Sequence, residues 1–296
     1  VIDIIPICSG CNSACTFCAT KLAKGSVVSF DEEKIVKEIR EMHRAGVKEF
    51  WLTGQDLACY GLDRSSVSKL PELLERILKE VKGKYFIRLG MMNPRNVLPI
   101  SSKLLRLLKD ERVFKFLHLP VQSGSNRVLR MMNRGYSIEE FVDLVKKFRR
   151  HFPNLTLWTD IIVAFPGESE KDFEKSVELV RELCFDYVHV SRFSPHHVTP
   201  ASRLKQVPTH VAKERSRRLA SVVRELAIRQ NSLWLGWRGE ALIDEYNSRH
   251  RCFIARNHAY KPIAIKRSPW LRLGQWVEVE VIGYLHSCLL GRLVKR

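Results

Sequence analysis

The stretch Gly10-Cys11-Asn12-Ser13-Ala14-Cys15-Thr16-Phe17-Cys18 decides the fold and chemistry expected here, because its cysteines follow the pattern Cys-x-x-x-Cys-x-x-Cys. Thiolates hold iron–sulfur clusters, and a four-iron cluster normally takes four of them. Cys11, Cys15 and Cys18 would hold three irons of a 4Fe-4S cluster and leave the fourth open to the amino and carboxylate groups of S-adenosylmethionine. An electron from the cluster could then cleave that molecule and release a 5′-deoxyadenosyl radical. The aromatic Phe17 is suited to packing near the adenine.

A zinc site is the alternative interpretation of this stretch, because Cys8 and Cys11 form one Cys-x-x-Cys pair and Cys15 and Cys18 form another. Zinc ribbons separate their two pairs by about 12–20 residues, whereas here three residues separate them. The spacing therefore favours a cluster, with Cys8 as a small apolar residue at a strand end. The other cysteines are scattered, unlike those of a short secreted disulfide scaffold; they are Cys59, Cys184, Cys252 and Cys288.

Outward from the cysteines, short apolar runs alternate with longer amphipathic ones up to about residue 230. This alternation predicts a parallel sheet with helices outside it, and right-handed crossovers would curl the sheet into a partial (β/α)6 TIM-like barrel. Ser101 and Asp31 are predicted helix caps. The predicted strands are 2–7, 47–53, 85–91, 115–119, 155–163 and 187–193, and the main predicted helices are 31–45, 70–81, 101–109 and 170–183.

Polar or turn-forming loops follow the predicted strands. Since chemistry in such barrels lies at the carboxyl ends of the strands, these loops are expected to meet at one rim with the cysteines. The loops are Gly54-Gln55-Asp56 after the second strand, Asn93-Pro94 after the third, Pro120 to Ser125 after the fourth and Phe165 to Glu168 after the fifth.

After residue 230 the pattern changes. A basic helix is predicted over 209–231, and five short alternating stretches then predict a small C-terminal all-β barrel. The predicted domains are 1–230 and 231–296. These five strands are expected at 239–246, 252–256, 260–265, 275–282 and 289–294.

The charge points to a polyanionic partner. Lysine and arginine number 50 against 32 acidic residues, a net charge of +18, and the tail from Ser232 has eleven basic residues against five acidic ones. Such an excess is typical of proteins that bind nucleic acid or an anionic membrane surface. No apolar run of about 18 residues and no secretory signal is present, so no membrane span and a cytoplasmic location are expected. Because residue 1 is Val1, the chain is expected to start inside a longer polypeptide.

These residues resemble the radical S-adenosylmethionine (SAM) methylthiotransferases, and more narrowly the archaeal and eukaryotic threonylcarbamoyladenosine tRNA methylthiotransferases. The resemblance runs from about Ile4 to Val294, and the tail resembles that family's TRAM domain, a small RNA-binding barrel. Besides the cysteine stretch up to Lys21, it rests on Trp51-Leu52-Thr53-Gly54-Gln55-Asp56, Arg88-Leu89-Gly90-Met91-Met92-Asn93-Pro94, His118-Leu119-Pro120-Val121-Gln122-Ser123-Gly124-Ser125 and Thr159-Asp160-Ile161-Ile162.

The resemblance implies that N6-threonylcarbamoyladenosine next to the tRNA anticodon gains a 2-methylthio group. One S-adenosylmethionine would supply the methyl group and a second the radical. By similarity, Gly54, Gln55 and Asp56 would hold the methionyl end of the cofactor. Gln122 and Ser123 would contact its ribose or sulfonium region, and Asp160 and Ile162 the nucleoside. Bracing of the backbone is the alternative role for Gln55, Gln122 and Asp160.

Two departures from the family pattern stand out. His196-His197-Val198 replaces the usual Arg-Pro-Gly, so the two histidines are either metal ligands or polar surface, and Ala164 replaces a common glycine. The resemblance also implies a second 4Fe-4S cluster in an amino-terminal domain, which is expected either in a longer polypeptide of which this chain is a fragment or elsewhere. It further implies an electron donor such as ferredoxin or flavodoxin, the tRNA anticodon loop as partner, and a monomer. The alternatives are a radical enzyme acting on another RNA or on protein, and a non-catalytic RNA-binding module with structural zinc.

Overall fold

The computed structural model describes residues 1–294; Lys295 and Arg296, the end of the predicted tail domain, lie outside the described residues. The chain alternates strands and helices as far as a long helix and then forms short strands. In order, the elements are β1 (Ile2–Pro6), β2 (Cys8–Ser9), α1 (Thr20–Lys24), β3 (Val28–Ser29), α2 (Glu32–Arg44), β4 (Glu49–Thr53), α3 (Leu70–Glu80), β5 (Phe86–Leu89), α4 (Pro94–Val97), α5 (Ser101–Leu107), β6 (Phe116–His118), α6 (Asn126–Met131), α7 (Ile138–His151), β7 (Thr156–Val163), α8 (Glu170–Leu183), β8 (Tyr187–Arg192), α9 (Thr209–Ser232), β9 (Arg238–Asn247), β10 (Cys252–Arg256), β11 (Pro262–Lys266), β12 (Trp276–Tyr284) and β13 (Leu289–Leu293).

Six parallel strands form the first part. The order β1-β4-β5 continues into β6-β7-β8, because the parallel bridges Ile87–Val113 and Met91–His118 join the two halves. The helices cover the outer face, where apolar residues of strands and helices share one buried core. The predicted partial (β/α)6 barrel is confirmed, and the strand ends bring the polar loops to a common rim.

Local signals explain most helix boundaries. Asp31 caps α2 as predicted, its carboxylate accepting the Lys34 N–H at 3.0 Å. The prediction for Ser101 is wrong: α5 has no side-chain cap, and Ser101 lies in the first turn with its Oγ donating to the Leu98 carbonyl at 3.0 Å. The preceding turn, Leu98–Ile100, leads directly into α5, and the backbone N–H of Ser101 already donates to the Leu98 carbonyl. Ser101 is therefore already part of the helix, and its side chain does not act as the cap.

The tail forms a closed five-stranded barrel in the order β10-β11-β13-β12-β9, as the sequence predicts. Its interior is apolar and includes Trp234, Ile243, Val279 and Leu289. Alternate residues along each strand face inward, which is the pattern that predicted the strands.

The tail barrel packs against the amino-terminal ends of the parallel strands. There Leu242 and Tyr260 of the tail share a buried cluster with Phe86, Phe114 and Phe116. We call this end of the barrel the floor. A buried ion pair joins the same two parts, with Lys261 Nζ 2.6 Å from Asp186 Oδ1. The end opposite the rim is therefore closed by the tail.

Candidate functional site at the barrel rim

The three motif cysteines lie on one loop at the rim. All three are free and partly exposed. The Ser13 N–H donates to Cys11 Sγ at 3.3 Å and the Thr20 N–H to Cys18 Sγ at 3.4 Å. Backbone N–H groups directed at the sulfurs are a feature that tunes iron–sulfur clusters. The donor set and its surroundings therefore fit a cluster held by this loop.

The loop is fixed by contacts that are distant in sequence. Gly10 has φ 79°, and a Cβ there would lie 2.2 Å from the Ser26 carbonyl oxygen, so only glycine fits. Thr16 Oγ1 donates to the Met131 carbonyl at 2.8 Å, and the Ala201 N–H donates to the Thr16 carbonyl at 3.0 Å. The cysteines are thus presented on a fixed loop.

Arg134 directs a positive charge at the second motif cysteine. Its Nη1 lies 3.3 Å from Cys15 Sγ, while Nη2 donates to the Pro120 carbonyl at 2.7 Å. Burial raises the pKa of the Cys15 thiol, and the Arg134 guanidinium opposes that effect. Arg134 stabilises the thiolate that a metal requires. The sequence argument missed this residue, which lies 119 positions from Cys15.

Cys59 also lies at this site, although the sequence separates it from the motif. The ligand atoms of Cys11, Asp56 and Cys59 all lie within 4.8 Å of one another. The neighbouring Cys59 thiol lowers the pKa of Cys11, against the effect of burial, while Cys59 Sγ itself lies 3.2 Å from Asp56 Oδ2. Among residues 1–294, this is the only group of three His, Cys, Asp or Glu side chains whose ligand atoms lie close enough together to bind one metal ion. Cys8 is buried and donates to the Asp56 carbonyl at 3.7 Å, so the four-cysteine zinc alternative gains no support.

The loop after β4 braces the cysteine loop. Gln55 Oε1 accepts the Gly10 N–H at 2.7 Å, which is the bracing role considered for it. Asp56 is buried and accepts the N–H groups of Ala58 at 3.1 Å and Asn93 at 3.0 Å. Gly54 lies against Cys8, since a Cβ would come 2.7 Å from its Sγ. Contact of these residues with the methionyl end of a cofactor stays a prediction.

Gln122 is held in an unfavourable conformation at the rim. Its φ of 74° is left-handed, which costs a non-glycine residue roughly 1–2 kcal/mol. Its backbone is fixed to β7, because its N–H donates to the Asp160 carbonyl at 2.8 Å and its carbonyl accepts the Ile162 N–H at 3.0 Å. The side-chain Oε1 is buried and has no donor within the described part of the chain. A bound ligand with a hydrogen-bond donor would satisfy it, so the site fits a polar cofactor.

The other predicted contacts fall into two groups. Ser123 is fully buried, and its Oγ accepts the Ser125 N–H at 3.2 Å. Ile162 and Phe17 pack against the same apolar cluster around Phe165. Ser123 thus braces its own loop, and Ile162 and Phe17 form part of an apolar wall. The cofactor and nucleoside contacts predicted for these residues stay predictions.

Inside the barrel, Asp160 faces a histidine that the sequence argument did not assign a role. His118 Nε2 lies 3.2 Å from Asp160 Oδ1, and both side chains are partly exposed to the interior. The only signal in the sequence was the position of His118 at the end of a predicted strand.

Two loops complete the rim. Glu168 is buried and accepts from the Ala164 N–H at 2.7 Å and from Arg215 Nη1 at 2.8 Å, which fixes the turn after β7. His196 and His197 are exposed, with stacked rings 5.0 Å apart. They form no three-ligand metal group with other described residues, so polar surface is the interpretation that the geometry favours.

Comparison with known proteins agrees with this geometry. Residues 5–180 match the family model described as "Radical SAM superfamily". A Pyrococcus horikoshii protein named "Probable threonylcarbamoyladenosine tRNA methylthiotransferase" is 43% identical over 99% of this chain and 68% of its own length. The chain belongs to the threonylcarbamoyladenosine tRNA methylthiotransferase family within the radical SAM superfamily. This family is linked to S-adenosylmethionine and a 4Fe-4S cluster, which the cysteine loop fits.

Other members of the methylthiotransferase family extend the match. An Archaeoglobus fulgidus protein with the same name is 38% identical over 99% of this chain and 67% of its own length. A human protein named "Threonylcarbamoyladenosine tRNA methylthiotransferase" is 34% identical over 95% of this chain and 48% of its own length. The chain thus spans between about half and two thirds of the length of these relatives.

Solved structures agree on the fold alone. Coproporphyrinogen III oxidase (HemN) from Escherichia coli matches with a TM-score of 0.55 and 16% identity, over 99% of this chain and 72% of that one. The radical S-adenosylmethionine methyltransferase TsrM from Kitasatospora setae matches with a TM-score of 0.56 and 15% identity, over 68% of this chain and 36% of that one. Within residues 1–294, no helix is long and apolar enough to cross a membrane.

Proposed function

We propose that this chain is the radical core of a tRNA methylthiotransferase that converts N6-threonylcarbamoyladenosine next to the anticodon to its 2-methylthio derivative. The observation that carries the proposal is the rim loop with three free, partly exposed cysteines. The names of the relatives, which specify threonylcarbamoyladenosine in tRNA, support the substrate.

Cys11, Cys15 and Cys18 would hold the 4Fe-4S cluster, which when bound supplies the electron that cleaves S-adenosylmethionine. Arg134, with Nη1 3.3 Å from Cys15 Sγ, would favour the thiolate form of Cys15 that binds iron. Gln122 offers its buried oxygen to a donor of the cofactor.

The remaining rim residues would orient the two ligands. Gly54, Gln55 and Asp56 would lie along the methionyl end, Ser123 near the ribose, and Phe17 against the adenine. Asp160 and Ile162 would contact the target nucleoside, which has to leave the anticodon loop to enter the barrel, as enzymes acting on bases generally require. The apolar cluster that Phe17 and Ile162 join would exclude water from the reacting atoms.

The basic tail and α9 would bind the tRNA by charge, as the net charge of +18 suggests. We place the domain boundary at 230/231, with the tail as a TRAM domain. A ferredoxin or flavodoxin would deliver electrons to a monomer in the cytoplasm. A second 4Fe-4S cluster in an amino-terminal domain would supply the sulfur.

Mass spectrometry of tRNA nucleosides tests this function. In cells that lack the gene, the 2-methylthio derivative should vanish while N6-threonylcarbamoyladenosine stays, and the intact gene should restore it. Restoration by a gene carrying Cys15→Ala, or an unchanged level of the derivative in the deletion strain, would contradict the proposal.

A further inference from the structure

The side chain of Arg88 faces the barrel interior at the floor. Arg88 lies on β5 directly opposite Trp51 of β4. Its guanidinium carbon is 4.9 Å from the ring centre of Phe116, 5.1 Å from that of Trp51 and 5.2 Å from that of Tyr260. Aromatic faces attract the cation and hold its plane, but they offer no hydrogen-bond acceptor in the plane of the fork.

Arg88 has no anionic partner in the part of the chain that the structure describes. Its Nε is buried without an acceptor, and no ion pair joins the guanidinium to a carboxylate among residues 1–294, although the charge of Glu49 acts on it from a longer distance. Burial lowers the pKa of Arg88, yet a guanidinium stays charged in proteins. A partly buried cation without a counter-ion is costly, and an anionic ligand would relieve that cost.

The nearest acidic groups, Glu49 and Asp244, each have one oxygen that is held by another residue and one that is buried without a donor in the described part of the chain. Burial, with the charge of Asp244, raises the pKa of Glu49 to about 7, and its Oε1 accepts from Trp51 Nε1 at 2.6 Å. Asp244 itself pairs with Arg256, whose Nε lies 2.9 Å from its Oδ2. Neither carboxylate supplies Arg88 with a full counter-charge.

On the rim side of Arg88, no side chain of the same strand covers the guanidinium. Side chains alternate along a strand, and the next position on this face is Gly90, just past the end of β5, where a Cβ would lie 2.7 Å from the Leu52 carbonyl oxygen. The guanidinium is 5.9 Å from the ring centre of Trp158. Asp160 follows Trp158 by two residues, or about 7 Å along β7, toward the rim. The span from Arg88 to the proposed nucleoside contact suits a small acyl substituent.

The proposed substrate carries such a substituent. In a threonylcarbamoyl group, threonine is attached through its amino nitrogen, which leaves its carboxylate free. We propose that the Arg88 guanidinium at the barrel floor binds this carboxylate and so selects threonylcarbamoyl-modified adenosine. The inference rests on the proposed function. Arginine suits the role because its planar fork binds a carboxylate through two parallel hydrogen bonds.

The test compares two ligands on the full chain. Anticodon stem-loop RNAs carry either N6-threonylcarbamoyladenosine or its methyl ester, and dissociation constants are measured by calorimetry. The free acid should bind the parent about 10–100-fold more tightly than the ester, the range of a charged hydrogen bond. Arg88→Met should bind both RNAs as the parent binds the ester, whereas Arg88→Lys should keep part of the preference. Equal binding of acid and ester by the parent would overturn the inference, as would an undiminished preference in Arg88→Met.

A structural role alone gives a different result. If Arg88 only joins barrel and tail through Tyr260, Arg88→Met lowers the melting temperature and leaves the ratio of the two dissociation constants unchanged. Should that variant fail to fold, the acid-to-ester ratio of the parent still decides. The two proposals can fail separately. If the deletion strain loses the 2-methylthio nucleoside but the parent binds acid and ester equally, this inference is wrong and the proposed function is still supported.

Discussion

The rim of the barrel collects polar side chains from loops that follow the strands, whereas the floor collects aromatic side chains from strand starts and from the tail. At the rim, hydrogen bonds fix the geometry, as in Gln55 to Gly10 at 2.7 Å. At the floor, rings pack at close range, as in Phe86 and Phe114 with centroids 4.2 Å apart. The rim is thus organised to present atoms to ligands, and the floor to join two parts of the chain through packed rings and buried cations.

Removing a rim cysteine should have the largest effect. We expect Cys15→Ala to abolish iron binding and cleavage of S-adenosylmethionine, because two thiolates cannot hold the cluster with an open iron. Iron per chain after anaerobic reconstitution should be about four in the parent and near zero in the variant.

Cys184→Ala is the matched control, because Cys184 is a free cysteine at the C-terminal end of α8, outside the cysteine loop, and this variant should keep the cluster. Cys59→Ala is the sharper comparison: Cys59 lies beside Cys11 but outside the motif, and the motif alone predicts that this variant also keeps the cluster. Equal iron content in Cys15→Ala and the parent would overturn the assignment of the motif cysteines. Loss of iron in Cys59→Ala would show that Cys59 belongs to the site.

At the floor, the largest effect should be on folding. Tyr260 is 3% exposed, with ring centres of Phe114 and Phe116 both 4.9 Å away. Tyr260→Ala should lower the free energy of unfolding by about 3–5 kcal/mol, the usual cost of removing a large buried ring. Denaturant titration measures it. The control is Trp270→Ala, 68% exposed in the same tail, which should change stability by less than about 0.5 kcal/mol.

The packing of the tail against the floor also affects what deletion of the tail would test. From the sequence alone, removing residues 232–296 is expected to weaken RNA binding and leave cofactor cleavage intact. The structure adds an expected loss of stability, because the deletion would expose the aromatic floor and leave Asp186 without Lys261. Point variants on the tail surface are the better test of RNA binding.

The sequence predicted features that depend on neighbouring residues, but not contacts between residues that are far apart along the chain. The strands and the cysteine motif are local patterns, so they were predicted. Arg134 reaches Cys15 across 119 residues, and the left-handed Gln122 depends on its pairing with β7. Such contacts exist only after the chain has folded. The floor is harder still, because Arg88 and Tyr260 belong to different parts of the chain and have no shared sequence pattern.

A rim brace should show a smaller, pH-dependent effect. Burial favours the neutral carboxyl of Asp172, but hydrogen bonds from Arg127, Ser125 and Ser169 outweigh it and hold its pKa below the usual value. Its stabilising contribution is therefore present above about pH 4, the unfolded value, and is lost as the pH falls through the lower folded value. Asp172→Asn should cost on the order of 2 kcal/mol at pH 7, and the difference should shrink in acid.

Urea titrations of parent and Asp172→Asn at pH 7 and pH 3 measure this. The Ser125 hydroxyl donates to Asp172 at 2.6 Å, so the brace supports the loop that carries Gln122. A difference that stays constant or grows toward acid would mean that the carboxylate charge is not what stabilises this loop.

The smallest expected effect concerns the outer surface, which is neither rim nor floor. The five arginines of α9 divide into two classes. Arg215 and Arg218 pair with acidic residues of the turn after β7 and of α8, whereas no such pair is found among the described residues for the exposed Arg217, Arg224 and Arg229.

Each exposed arginine that neutralises an RNA phosphate contributes about −0.7 to the slope of log affinity against log salt. Arg217→Gln with Arg224→Gln should therefore make the slope less negative by about 1.4 for a tRNA anticodon stem-loop, whereas Arg218→Gln, whose charge is already paired, should change it less. A slope equal to the parent's would place the RNA elsewhere on the surface, and a larger change from Arg218→Gln would mean that the RNA displaces its acidic partners.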